Sequence, residues 1–128
     1  DWENVEMNDI VIVRKIIGSL GNAQDRRQFY ANSEDVLLAK KEMDHYRKTG
    51  NSAGIKSVMK KYGSQIQLSS MFTTINNQLS KYRKRLKEVR DNKHIKEGAR
   101  EKIEDQIKAS MDRLIDQANR LYNARIRK

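Results

Sequence analysis

Apolar residues recur every three or four positions in two long stretches of the second half of the chain. In the first stretch the steps alternate between four and three over 22 residues, which corresponds to about 33 Å of α-helix. This spacing predicts two long helices, each with one apolar stripe. The first stripe is formed by Leu68, Phe72, Ile75, Leu79, Tyr82, Leu86 and Val89, and the second by Ile103, Ile107, Met111, Leu114, Ala118 and Leu121.

A short polar stretch joins the two stripes. Its sequence is DNKHIKEG at residues 91–98, and Asp91 and Asn92 interrupt the apolar spacing. Two stripes of similar length joined by a short connection predict a long antiparallel helical hairpin, with helices at about residues 66–91 and 97–127. The alternative is a parallel coiled coil between two chains. The short connection disfavours it, because the second helix would have to lead away from the first.

Three shorter helices are expected before the hairpin. The first runs through Ile10–Ile17, although the alternation of residues 10–13 suits a β-strand equally well. An isolated strand would have nothing to pair with. Residues 21–32 are polar apart from Phe29 and Tyr30, and we expect a loop or a single helical turn there. Short helices are unstable alone in water, so we expect all three to pack against the base of the hairpin.

Glycines mark the ends of the second and third short helices. The second begins at Asn32 or Ser33 and ends at Gly50, which favours a left-handed C-cap. The third covers Ser52–Tyr62 and is closed by Gly63. Its spacing predicts inward side chains at Ile55, Val58, Met59 and Tyr62.

The composition supports an all-α fold. A chain of 128 residues has the size of one domain, and 6 glycines without proline provide too few turns for a β-sandwich or barrel. No apolar run is long enough to cross a bilayer. We expect one helical domain over residues 1–128, with an acidic tail at 1–9, short helices at 10–63 and a basic hairpin at 64–128. Because the sequence opens at Asp1, we expect it to be part of a much larger chain.

Positive charge is concentrated in the second half of the chain. The formal net charge is +10, and residues 79–128 hold 16 basic and 8 acidic side chains. Such a surplus favours acidic partners such as nucleic acid or anionic lipid. Three interpretations of the densest cluster stay open: a solvated helix face, a phosphate-contacting face and a nuclear-import signal. The candidate nucleic-acid-binding residues are Lys81, Arg83, Lys84, Arg85, Lys87 and Arg90.

Residues that carry chemistry do not form a recognisable catalytic or metal-binding motif. His45 and His94 lie in different predicted elements, and the chain has no cysteine. Gly18 and Gly21 alone do not make a phosphate-binding loop. We therefore expect no enzyme activity, no cofactor, no metal and no small-molecule substrate. The candidates for protein packing are Trp2, Phe29 and Tyr30.

The order of several features resembles a known helical domain. The features are an Arg-x-Phe-Tyr step at residues 27–30, a glycine break at Gly50, the turn DNKHIKEGAREKIEDQI and a closing ANRLYNAR. Over about residues 10–126 the chain is similar to the large polyvalent protein associated domain. That domain lies near the C-terminal ends of very large phage and mobile-element proteins. It is also found in the largest internal virion proteins of short-tailed phages, which are ejected with the genome.

The resemblance implies a role in genome delivery. Ejection proteins are packed inside the capsid, are expelled ahead of the DNA and assemble into a conduit across the bacterial envelope. The chain would then be a non-catalytic assembly module of the virion interior, and later of the host cell envelope. Its partners would be other virion proteins, further copies of itself and genomic DNA. The alternative is a helical module that binds nucleic acid without sequence specificity, with an affinity that falls as salt rises.

Overall fold

Three α-helices account for nearly all of the described chain. The computed structural model describes residues 23–127, which form helix α1 (Ala23–Thr49), helix α2 (Ser52–Asp91) and helix α3 (Glu97–Arg125). No β-strand occurs within this range. The expected all-α class is therefore confirmed for the described residues. The expected tail at 1–9 and the first short helix, Ile10–Ile17, lie outside them.

The expected division into short helices is wrong. Helix α1 begins at Ala23 rather than at Asn32 or Ser33, so most of the segment expected to be a loop is helical. The reason is that the buried face continues through polar residues: Phe29, Asn32, Ser33 and Val36 are all buried and follow helical spacing. Asn and Ser are typical helix-cap residues, so the sequence predicted a helix start at Asn32 or Ser33. In the structure both side chains belong to the core.

The third short helix and the first hairpin helix are one element. Helix α2 runs through both, with a kink at Tyr62, whose backbone angles (φ −128°, ψ 24°) are not helical. Gly63 therefore follows a kink and does not end a helix. The hairpin with three shorter helices is thus replaced by three long helices in the described part of the chain.

The turn between α1 and α2 uses a left-handed glycine. Gly50 has φ +67°, a conformation that costs other residues free energy. Asn51 then caps α2, because its Oδ1 accepts a hydrogen bond of 2.9 Å from the backbone N–H of Gly54. The turn between α2 and α3 is held by Arg100, whose Nη2 donates to the backbone carbonyls of Asn92 (2.9 Å) and Ile95 (3.1 Å).

The helices run up, down and up, so α1 and α3 are parallel neighbours. Contacts between them join Arg26 to Asp112, Asn32 to Asn119 and Asp35 to Tyr122, at a nearly constant sequence offset of 86 or 87 residues. Helix α2 is antiparallel to both, and all three pairs of helices are in contact. The end of α2 and the start of α3 form the hairpin that continues beyond the described start of α1.

The core lies where the three helices meet. The ring of Phe72 in α2 stacks on Phe29 of α1, with ring centroids 5.7 Å apart, and makes an edge contact of 6.3 Å with Tyr122 of α3. The α2 stripe is buried throughout except at Leu86, which is half-buried. The buried face of α3 differs from its predicted stripe because α3 contacts both other helices. Ile107, Leu114 and Ala118 of the stripe are buried, whereas Ile103, Met111 and Leu121 are half-buried. The buried face also includes Ser110, Asp112, Ile115, Asn119 and Tyr122.

Candidate interaction surfaces

The candidate nucleic-acid-binding residues all lie on exposed positions of α2, but they differ in their partners. The Nη1 of Arg83 donates to the hydroxyl of Tyr30 at 3.3 Å, and the Nε of Arg90 forms an ion pair of 2.6 Å with Glu104. These two guanidinium groups are therefore oriented by neighbouring helices. The second half of α2 is strongly basic at its surface, and part of that charge is already paired.

Three lysines of this cluster point outward from α2. They are three residues apart and therefore neighbours on the helix surface. None forms an ion pair with a residue of the described part of the chain. We call this set the basic row; it consists of Lys81, Lys84 and Lys87, all exposed.

The expected packing residues have different environments. Phe29 is completely buried in the core, so its contacts are internal and it offers no surface to another chain. The side chain of Tyr30 is 50% exposed, and its hydroxyl accepts the hydrogen bond from Arg83. Trp2 lies outside the described residues. Of the two described candidates, Tyr30 alone is available to a partner.

A patch of large apolar side chains is exposed beside the kink of α2. Leu38 of α1 is 55% exposed, and Met59 and Tyr62 of α2 are 44% and 37% exposed. We call these three residues the kink patch. The expectation that Met59 and Tyr62 face inward is wrong, because the kink turns α2 about this point and Val58 alone of that turn is buried. Helical spacing alone does not indicate a kink, so the sequence could not reveal this patch.

The kink patch borders a shallow groove of about 180 Å³ between α1 and α2. Leu38, Ala39 and Tyr62 line the groove. Two acidic residues, Asp35 and Glu42, also line it. Oδ2 of Asp35 already accepts hydrogen bonds from the hydroxyl of Tyr122 (2.6 Å) and from Gln65 (3.4 Å). The groove is thus lined by both apolar and acidic side chains.

A second groove of about 250 Å³ lies beside the start of α1, where all three helices contribute. We call it the start groove. Its apolar lining is Leu79, Leu86, Met111 and Ile115, and its polar lining is Arg26, Tyr30, Arg83, Lys108 and Asp112.

The acidic residue in the lining of the start groove is Asp112. Its side chain is 10% exposed, and burial raises its pKa above the usual value of 3.8. The guanidinium of Arg26, 3.5 Å away, opposes this rise without cancelling it. Arg26 is half-exposed, so its charge is well solvated and the ion pair is weak.

Metal-binding and membrane-spanning features are absent from the described residues. Within residues 23–127, no three His, Cys, Asp or Glu side chains come together in a way that would hold a metal ion. His45 and His94 are both exposed and lie in α1 and in the α2–α3 turn. Over the same range no helix has the length and apolar character needed to span a bilayer.

Comparison with protein-family models, with curated proteins and with solved structures gave no match.

Proposed function

We propose that this chain is a non-catalytic structural module that assembles with other protein chains through the kink patch. The single observation that carries this proposal is the exposure of Leu38, Met59 and Tyr62 at one place on two helices. Single exposed apolar residues are ordinary, whereas a group of them beside a groove is typical of an interaction site. The acidic residues of the groove, Asp35 and Glu42, would orient a partner helix with basic residues.

We further propose that the assembly is a phage virion and that the chain belongs to an internal virion (DNA ejection) protein. The support for this context is the resemblance of residues 10–126 to the domain found in such proteins. The three long helices of the described residues are compatible with a structural role in a conduit. The experiment is mass spectrometry of phage particles purified from the source organism. The protein should be present in full particles and depleted from particles that have released their DNA. Its absence from full particles would refute the phage context.

The assembly proposal is tested by the size of the full chain in solution. Sedimentation velocity should show an oligomer that Leu38→Glu combined with Met59→Glu converts to the monomer, because both substitutions introduce charge into the proposed contact. The control variant, Thr73→Glu with Ser80→Glu, adds the same charge at exposed positions of α2 and should leave the oligomer intact. An oligomer that survives the first pair, or a wild-type chain that stays monomeric with and without virion proteins, would contradict the proposal.

A second candidate function is binding of nucleic acid without sequence specificity. The observation that favours it is the basic row, whose three ammonium groups are exposed and unpaired among the described residues. Exposed cations next to one another contact phosphates and release counterions, so the affinity depends steeply on salt. Arg83 and Arg90 are held by Tyr30 and Glu104, and would contribute less.

Fluorescence anisotropy with a random DNA duplex tests this candidate. The triple substitution Lys81→Glu, Lys84→Glu and Lys87→Glu should abolish binding and remove the salt dependence. The matched control changes Lys56, Lys60 and Lys61 to Glu, which are also exposed on the same helix. If both triple variants lose affinity to the same extent, binding follows net charge alone and the basic row is not a binding site.

A further inference from the structure

We propose that the partner of the kink patch is the start groove of a second copy of this chain. The inference rests on the proposed function, because it takes the kink patch as the assembly surface and identifies what covers it. The kink patch and its groove share no residue with the start groove. Along α1, 12 residues separate Arg26 of the start groove from Leu38 of the kink patch, which corresponds to about 18 Å of helix. One copy therefore offers two separate surfaces to its neighbours.

The two surfaces carry opposite charge. Asp35 and Glu42 line the groove beside the kink patch, and no basic residue of the described range lines it. The lining of the start groove has one acid, Asp112, which is buried and pairs with a guanidinium 3.5 Å away. Each of the three helices also contributes one basic residue to the start groove. These residues are Arg26, Arg83 and Lys108, and all three are exposed.

The same charges disfavour contact between two identical surfaces. If the kink patches of two copies met, Asp35 and Glu42 of one chain would face the same acidic residues of the other. Like charges that face each other across an interface destabilise it. If a kink patch met a start groove instead, acidic residues would face basic ones. The charges therefore favour contact between the two unlike surfaces.

Apolar side chains are present on both surfaces and need a cover. Leu38, Met59 and Tyr62 are exposed on the kink patch. In the apolar lining of the start groove, Leu86 and Met111 are half-buried, and the groove volume of about 250 Å³ gives space for side chains of a partner. Contact would remove apolar surface of both copies from water, which is the main favourable contribution to association. The charges would then select the partner surface and its orientation.

Contact between unlike surfaces repeats from one chain to the next. Each copy would bind one neighbour through its kink patch and another through its start groove. Such a head-to-tail contact gives a closed ring where the rotation between copies closes, and an open filament where it does not. Contact between two identical surfaces ends at a dimer. A ring is the form that the proposed conduit requires.

Sedimentation velocity on two variants of the full chain tests this pairing. The patch variant carries Leu38→Glu with Met59→Glu, and the groove variant carries Arg83→Glu with Lys108→Glu. Each variant alone should be a monomer, because every contact in the assembly needs both surfaces. An equal mixture should form a dimer with one chain of each kind and nothing larger. The intact groove of the patch variant then binds the intact patch of the groove variant, and no other contact is possible.

The control variant is Lys102→Glu with Arg125→Glu. Both residues are exposed on α3 and lie outside the start groove, so the net charge changes as in the groove variant. The control should keep the oligomer of the wild type, and circular dichroism of each variant checks that the three described helices are retained. Loss of the oligomer in the control as well would show that net charge alone governs association, and would overturn the inference.

The outcomes separate this inference from the proposed function. If the patch variant remains an oligomer, both are wrong. If the patch variant is a monomer and the groove variant remains an oligomer, the kink patch is the assembly surface but its partner lies elsewhere. In that case this inference alone is overturned. A mixture of the two variants that stays monomeric, or a wild-type chain that is itself monomeric, would also overturn it.

Disulfide trapping provides a measurement that does not depend on charge. The chain has no cysteine, so single-cysteine variants report one position each. Chains with Leu38→Cys and chains with Met111→Cys are mixed and oxidised mildly. The disulfide between positions 38 and 111 should exceed either disulfide between like positions about tenfold, because a disulfide requires two Cα atoms within about 7 Å. A statistical mixture of the three disulfides would refute contact between the kink patch and the start groove.

Discussion

The Nδ2 group of Asn32 in α1 donates a hydrogen bond of 3.1 Å to Oδ1 of Asn119 in α3, and both side chains are buried. The Nδ2 group of Asn119 donates in turn to the backbone carbonyl of Asp25, at 3.0 Å. Buried amides are satisfied only when their partners are in place. A shift of α1 along α3 would break both of these hydrogen bonds. This pair therefore fixes the parallel register of the two helices.

Breaking this pair on one side should be more destabilising than removing it completely. Asn119→Leu leaves the amide of Asn32 buried without its acceptor and should lower the free energy of unfolding by about 1–3 kcal/mol. Asn32→Leu should have a similar effect. The double variant should lose less than the sum of the two, because leucines can pack together. Urea denaturation of all four proteins gives the coupling energy, and strictly additive losses would contradict the role of the pair.

The same asparagine explains what the sequence could and could not predict. The α2 stripe from Leu68 to Val89 was predictable because its spacing is unbroken and its residues are apolar. The first half of α1 was not predictable from the sequence. Asn32 and Ser33 are typical of helix caps, and their burial depends on partners that are distant in the sequence. Ser33 accepts a hydrogen bond of 2.8 Å from Asn76, which no local pattern indicates. The full length of helix α1 thus depends on tertiary contacts.

The two candidate surfaces also differ in whether the sequence could predict them. The basic row was predictable because the residues of a dense basic cluster on a long helix are exposed whatever the helix packs against. The kink patch was not predictable, since Met59 and Tyr62 have the spacing of core residues and the kink alone exposes them. A kink at one residue does not change the spacing of apolar residues in the sequence.

Gly54 should be intolerant of alanine even though it lies within a helix. A Cβ atom at this position would lie 2.6 Å from Cδ1 and 2.7 Å from Cγ of Tyr46, so the ring would have to move. Alanine ordinarily stabilises a helix by about 0.5–1 kcal/mol relative to glycine, and here we expect a net loss of stability. Gly98, where an added Cβ meets nothing within 4 Å, is the matched control and should show the ordinary gain. Thermal unfolding of Gly54→Ala and Gly98→Ala compares the two positions. Equal shifts in Tm would contradict the prediction, because they would show that the Tyr46 ring moves away freely.

Asp112 should destabilise the folded state at neutral pH. Because its pKa is raised by burial, its favourable contribution is present below the usual value of 3.8 and is lost as the pH rises through the raised value. Asp112→Asn removes the buried charge and should increase the free energy of unfolding at pH 7 by up to about 1 kcal/mol, with little gain at pH 3. Asp116→Asn, which changes an exposed ion pair with Arg120, should have almost no effect at either pH. A loss of stability in Asp112→Asn would mean that Arg26 outweighs burial.

Tyr122 should make the fold sensitive to alkaline pH. Its hydroxyl donates a hydrogen bond of 2.6 Å to Oδ2 of Asp35, and burial together with this carboxylate raises the pKa of Tyr122 from 10.0 to about 12. The folded state therefore holds this proton more tightly than the unfolded chain does. The contribution of this proton to the stability of the fold is complete below pH 10 and is lost as the pH rises to about 12.

Comparison with Tyr122→Phe isolates this contribution from the other groups that titrate in the same range. The wild type should be the more stable protein at pH 8, because phenylalanine cannot donate to Asp35. The difference in the free energy of unfolding between the two proteins should then shrink as the pH rises from 10 to 12. Asp35→Asn gives a second check, since it removes the carboxylate and should lower the pKa of Tyr122, which ultraviolet absorbance measures directly. A stability difference that stays constant up to pH 12, with an unshifted phenol titration, would show that this hydrogen bond does not control alkaline unfolding.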